Sequence, residues 1–221
     1  MASLVAAGPS PAKVIPLGIV THAERAHVGD AATSVGSTIY EGDRLSTDVG
    51  GALRINGHAV TLQLDAQSLL IVRQSTSPVG DILAELASGT LIFSAAPNAG
   101  IAVAADDASI RPARKASTIA YIRVVSRKEL RISAQRGAVE FSYHGESEVI
   151  MEGKTYMVLL DPSEKETVAA LGSEQAKKGS INHRPTFLLL AITFTAAVVI
   201  PVIIHALESP DRPGSKLLPS P

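Results

Sequence analysis

The sequence predicts a mainly β fold, a β-sandwich or flattened β-roll of short strands, followed by one C-terminal transmembrane helix. Three observations lead there. Between Val14 and Leu160, short apolar stretches are broken at intervals by Gly, Asp, Asn, Ser and Pro, which is how an all-β domain is punctuated. Aromatic residues make up only 4% of the chain and Trp is absent. The core must therefore be built from aliphatic side chains, of which Val and Ile favour pleated strands through their branched Cβ. Finally, from Phe187 to Ile204 the run FLLLAITFTAAVVIPVII carries no charge.

In chain order, residues 1–13 are expected to be disordered. Leu4 to Ala7 is cut short by Gly8, Pro9 and Pro11 with no Lys or Arg ahead of it, whereas a secretory signal needs a charged start and a longer apolar run. The β-domain is placed at 14–160. Its candidate strands are Thr38 to Tyr40, Ala52 to Ile55, Val60 to Leu64, Leu69 to Val72, Ile82 to Leu86, Leu91 to Phe93, Ile101 to Val103, Ile119 to Val125, Leu130 to Ser133, Val139 to Tyr143, Glu148 to Met151 and Tyr156 to Leu160. No stretch of comparable strength has helical periodicity. Asn56-Gly57 reads as a two-residue type I′ hairpin turn, because both residues tolerate positive φ. Gly89, Gly137 and Gly153 read as turns between other strands, and no fixed period marks a repeat array.

Residues 161–185 form either a short helix or a juxtamembrane linker. Ser163 followed by Glu166 has the form of a capping box for a helix through Lys178, yet Val168, Ala169 and Leu171 offer it a thin apolar face. Thr186 to Leu207 is the expected membrane helix and the contact with lipid. At about 1.5 Å per residue, the stretch from Phe187 to Leu207 spans roughly 30 Å, the hydrocarbon thickness of a bilayer, and Pro201 should kink it. Residues 208–221, with Pro210, Pro213, Pro219 and Pro221, should be extended and disordered. With no export signal, the β-domain is expected on the cytoplasmic side. Lys177, Lys178 and Arg184 before the helix, against Arg212 and Lys216 after it, lean the same way. Lys177 and Lys178 belong either to a solvated linker or to a stretch attracted by anionic headgroups.

The charges exclude one class of partner. Lys and Arg number 20 against 21 Asp and Glu, interspersed along the domain, so no basic face is offered to phosphates and nucleic acid is not an expected partner. Cysteine is absent, which removes disulfides, thiolate metal sites and cysteine nucleophiles. The histidines (His22, His27, His58, His144, His183 and His205) lack metal-ligand spacing, and His205 suits a membrane interface. Asp106-Asp107 reads as a loop. Gly29 to Gly36 lacks the Gly-Lys-Ser/Thr that grips phosphate, and no Gly-x-Ser-x-Gly elbow occurs. No catalytic, cofactor-binding or metal residue is assigned, and the chain is not expected to be an enzyme.

The most distinctive run is Tyr40-Glu41-Gly42-Asp43-Arg44-Leu45-Ser46-Thr47-Asp48-Val49-Gly50-Gly51-Ala52-Leu53-Arg54-Ile55. Gly42-Asp43 suits a tight turn, Leu45 a core plug, and Gly50-Gly51 a chain reversal before the next strand. This run resembles the start of the FecR domain, where a G-D-x-L-x-T turn leads into an alternating strand. The similarity continues through Gly137-Ala138-Val139-Glu140-Phe141 and Val149-Ile150-Met151-Glu152-Gly153, which follow the family's closing pattern. The family's G-T-x-F is replaced by Ser117-Thr118-Ile119-Ala120. FecR proteins are inner-membrane regulators that sense an outer-membrane transporter from the periplasm and control a sigma factor. Here the expected anchor lies behind the β-domain, with neither a membrane helix nor a helical sigma-binding segment ahead of it. The resemblance thus implies the fold, a bacterial inner-membrane setting, and a regulatory or sensory role through contact with a protein or envelope component. A scaffold subunit of a membrane assembly is the alternative, and an unrecognised hydrolase using isolated carboxylates the third reading.

Overall fold

The computed structural model describes residues 16–74, 82–113, 116–162, 176–177 and 186–192, all in strands and their connections. Three long strands organise the molecule: β1 (Pro16–Val28), β4 (Arg44–Asn56) and β7 (Ile82–Ala95). Between the first two lie β2 (Ala31–Ala32) and β3 (Thr38–Tyr40), and before β7 come β5 (Val60–Leu64) and β6 (Leu69–Gln74). The remainder are β8 (Ile101–Ala105), β9 (Ala108–Pro112), β10 (Thr118–Ser126), β11 (Glu129–Arg136), β12 (Val139–Tyr143), β13 (Glu146–Ile150), β14 (Thr155–Leu160), β15 (Ala176–Lys177) and β16 (Phe187–Ala191).

β4 and β7 each change partners halfway, while β1 follows β4 along both of its halves. The first half of β7 lies between β6 and β8, and its second half between β5 and β10. β4 likewise pairs with β6 through Arg44 to Ser46 and with β5 through Leu53 to Asn56. One hydrogen-bonded sheet therefore bends into two layers. The first runs β6, β7, β8, β9, β12, β13, and the second β5, β7, β10, β11, β14, β16, β15. Strands that cross a corner need a bulge or a bend, and both devices are present. Gly89 takes φ +81° at the middle of β7, while the β1–β4 register slips between Glu24 and Ala26, opposite Asp48 to Gly51. All pairs are antiparallel except β7–β8.

Alternation sends one side of the longer strands into a single core. It contains Leu45, Leu53, Leu64, Leu70, Leu91, Phe93, Ile110, Ile122, Leu130 and Phe141, each fully buried. At the end remote from the corner the layers meet through side chains, where Phe141 of β12 packs edge-on against Phe187 of β16 at 4.9 Å between ring centroids. The corner is fixed from within by hydroxyls. Thr47 Oγ1 donates to Asp65 O and accepts from Ser68 N–H (3.0 Å), and Ser68 Oγ accepts from Thr90 N–H (2.8 Å), so these buried polar groups are satisfied.

Several expectations are corrected. Phe187–Ala191, expected to open the membrane helix at Thr186, is strand β16, in register with β14 from Leu160↔Phe187 to Tyr156↔Ala191. A short apolar run reads equally as buried strand or helix, and the open edge of β14 decides the matter by satisfying its backbone. Phe187–Ala191 thus belongs to the sheet of the β-domain. Ala176–Lys177 pairs with β16 instead of lying in a helix or linker. The rest of that linker, the N-terminus 1–13, residues 193–207 of the expected membrane helix and the tail 208–221 lie outside the described residues. Asn56-Gly57 does not form a type I′ turn. Ile55 pairs with Leu62 and Asn56 with Thr61, leaving a four-residue connection closed by Gly57 N–H to Val60 O (2.8 Å), and neither residue has positive φ. Gly89 lies inside one strand rather than between two. Gly50-Gly51 stays within β4, where a Cβ on Gly51 would sit 2.6 Å from Arg25 O; it marks the bulge and not a reversal. Gly42, Gly137 and Gly153 do occupy turns, with φ between +66° and +87°.

Candidate functional site

Two surfaces bring polar side chains together. The first is a broad groove of about 360 Å³ at the turns joining β8 to β9 and β12 to β13, lined by Asp107, Arg111, Glu140, Ser142, Tyr143 and His144 among others. The Asp106-Asp107 pair sits in the first of these turns, as expected, with Asp106 at φ +49°. The groove's polar atoms are largely engaged with one another. Tyr143 Oη donates to Asp161 Oδ2 (2.7 Å), Arg111 pairs with Glu140 (3.3 Å), and His144 stacks on Tyr143 with its Nε2 3.8 Å from Asp107. Burial, reinforced by the hydrogen bond to Asp161 and the charges of Asp161, Asp107 and Asp106, pushes the Tyr143 phenol up from 10.0 to about 12. Its proton is therefore held, and Tyr143 acts as a fixed donor at neutral pH.

The second surface is the outward face of the β10–β11 part of the second layer. Ala120, Ile122, Leu130 and Ile132 point into the core, so Tyr121, Arg123 and Arg131 must point out. The register sets Arg123 directly opposite Arg131, and Arg131 opposite Met157 of β14. Like charges placed opposite each other repel. Nevertheless neither guanidinium has an ion-pair partner among the described residues, and Arg131 Nε is buried without a hydrogen bond. Ile92 and Ile119 flank these residues on the same face, buried at 5% and 8% exposure yet outside the core cluster. A face of Tyr, Met and Ile with two guanidiniums free of ion pairs, one of them with an unsatisfied Nε, has the chemistry to take a carboxylate on an apolar backing.

No histidine expected to be unremarkable gathers with others. His27 lies 3.9 Å from Asp48, His144 is in the groove, and His183 and His205 lie outside the described residues. Among the described residues no three His, Asp or Glu side chains approach closely enough to hold a metal ion. Neither Arg123 nor Arg131 belongs to a motif in the sequence. The signal that finds them is the hairpin through Arg127 and Lys128: pairing the two expected strands about that turn sets the arginines face to face.

No protein-family model matches the chain, and no curated protein matches its sequence. Its fold is similar to two crystal structures of a "putative anti-sigma factor" from Parabacteroides distasonis. One gives a TM-score of 0.45 at 14% identity, covering 52% of this chain and 54% of that one. The other gives 0.44 at 15% identity with the same coverage. The chain thus spans about half the length of the solved proteins it matches.

Proposed function

We propose that this chain is a membrane-tethered binding module with a regulatory or sensory role, and that the outer face of β10–β11 recognises an acidic segment of a partner protein. The observation that carries the reading is the Arg123–Arg131 pair. Two opposed guanidiniums, one with a buried and unpartnered Nε, are costly alone and gain from a carboxylate that bridges them. Tyr121 and Met157 beside them are residue types enriched at protein contacts. The FecR-like run supports the fold behind this role, since Gly42-Asp43 forms its turn, with Asp43 accepting from Tyr40 N–H (2.8 Å), and Leu45 is fully buried. The reading takes the chain as a binder and not an enzyme, in keeping with the mutual pairing of side chains in the groove. Tethering rests on the uncharged stretch from Thr193 to Leu207, with the β-domain placed on the cytoplasmic side.

The test is a photo-crosslinking amino acid placed at Tyr121 in intact cells. One predominant protein adduct is expected, lost when Arg123 and Arg131 are both changed to Glu. An adduct that survives that double change removes the face from consideration. If the adduct forms in stoichiometric amounts with an integral membrane complex, the scaffold reading replaces the regulatory one. Protease accessibility in sealed vesicles of each orientation tests the cytoplasmic placement, which digestion from the periplasmic face alone would reverse.

A further inference from the structure

We infer that the end of the sandwich carrying Arg136, Met151 and Lys154 rests directly on an anionic bilayer surface, an inference that depends on the proposed membrane tether. Ile192 N–H donates to Thr155 O (2.9 Å), so the chain is still part of the β-domain at Ile192, and the uncharged run begins at the very next residue. No spacer separates domain from anchor. Thr155 itself follows the β13–β14 turn, Met151 to Lys154, so the anchor departs beside that turn.

The turn is not a loose flap. Gly153 N–H donates to Ala134 O (2.7 Å), Ala134 N–H to Lys154 O (3.0 Å), and Gly137 N–H to Glu152 Oε2 (3.1 Å), which fastens it to the β11–β12 turn that begins at Arg136. On this platform Met151 is 59% exposed, and Lys154 and Arg136 are exposed. Neither cation has an ion-pair partner among the described residues, and the Glu152 carboxylate of the same turn accepts a backbone N–H. An unbranched apolar side chain on the same pair of fastened turns as two cations free of ion pairs fits a headgroup layer, where the thioether enters the acyl boundary and the cations meet lipid phosphates. Length acts in the same direction. Read as a helix at about 1.5 Å per residue, Thr193 to Leu207 spans roughly 22 Å, short of the roughly 30 Å hydrocarbon core. A short anchor draws its flanks into the interface, and the flank here is this platform.

The absence of Trp from the chain makes one introduced indole an unambiguous reporter. The full-length protein would be reconstituted into vesicles of phosphatidylcholine alone, or of equal parts phosphatidylcholine and phosphatidylglycerol, with brominated acyl chains as quencher. Met151→Trp reports the platform, Val49→Trp (69% exposed at the β4 bulge) a surface away from it, and Phe194→Trp the anchor. Both β-domain substitutions are at exposed positions, so neither disturbs the core. In the anionic vesicles M151W emission should be blue-shifted and quenched, and V49W should be neither. Changing Arg136 and Lys154 to Gln should lower the docked-to-undocked ratio about twenty-five-fold, at about five-fold per basic side chain near an anionic leaflet, and high salt should lower it too. If F194W is quenched while M151W stays solvent-like, the platform inference is overturned and the tether stands. If F194W is unquenched, both fall. Equal quenching of M151W in neutral vesicles, unmoved by the Gln changes, overturns recognition of the anionic surface.

Discussion

The two ends of the sandwich close by different means. At the corner, β4 and β7, with β1 alongside β4, pass from one layer into the other, so the layers share continuous strands; at the far seam, β12 and β13 meet β14 and β16 through side chains, and only the short β11–β12 and β13–β14 turns carry the chain across. Backbone closure demands particular φ angles and tolerates no added bulk, whereas side-chain closure demands shape and a few hydrogen bonds. Damage should therefore spread through the whole fold from the corner, and stay local at the seam.

Replacing Gly89 by Val is the severest test. A Cβ there would lie 2.4 Å from Ser68 Oγ and 2.5 Å from Ser68 Cα, on a residue at φ +81°. A strained φ costs about 1–3 kcal/mol and overpacking about the same again, so urea denaturation should show a loss of about 4 kcal/mol, with protection lost across both layers in hydrogen exchange. Phe187→Ala removes the seam's edge-on contact and should cost about 3 kcal/mol. Exchange should accelerate in β14 and β16 while the amides of β7 stay protected; a uniform loss of protection would erase the distinction between the ends.

Alkali sharpens the comparison further. The unfolded chain releases the Tyr143 proton near 10.0 and the folded chain near 12, so between these values the unfolded state binds fewer protons and stability falls as pH rises. Stability from this group is complete below pH 10, and about 2 kcal/mol should be lost by pH 12. Tyr143→Phe, which forfeits the bond to Asp161, should cost about 1 kcal/mol at neutral pH and flatten the alkaline decline. The smallest effect is expected from Arg111→Ala. It and its partner Glu140 line the open groove with the Arg111 side chain 56% exposed, and exposed pairs contribute at most about 1 kcal/mol. A change larger than that of Y143F would mean the groove's pairing, not the aromatic contacts, holds the seam.

The corner was partly written in the sequence and the seam was not. Gly42-Asp43, Gly137 and Gly153 fall where their turn chemistry predicts, and Thr38–Tyr40, Val60–Leu64 and Val139–Tyr143 are strands with the expected bounds, because period-2 patterning is a local signal. Gly89 and Gly50-Gly51 were visible as special positions but misjudged in kind, since a glycine that bends one long strand looks in sequence like one that separates two. β1 was missed. Its polar residues, His22, Glu24 and Arg25, interrupt the apolar pattern, and Arg25 is spent on the bulge, donating from Nη2 to Gly50 O (2.9 Å). β16 was misread because whether Leu-rich sequence pairs with a strand or enters lipid depends on whether an edge such as that of β14 is waiting for it. The Arg123–Arg131 face needed the register, which no single strand contains.

The lone parallel pair has a consequence for how the molecule can be divided. Parallel neighbours ordinarily need a crossover of a dozen or more residues, yet β8 follows β7 after only Ala96 to Gly100. The second half of β7 supplies the missing path: it travels out through the opposite layer before the chain returns beside Ile82, whose N–H donates to Gly100 O (2.9 Å). Each layer thus serves as the connecting loop of the other. A cut that separates the two layers must sever β7, so neither layer is expected to fold as an independent half.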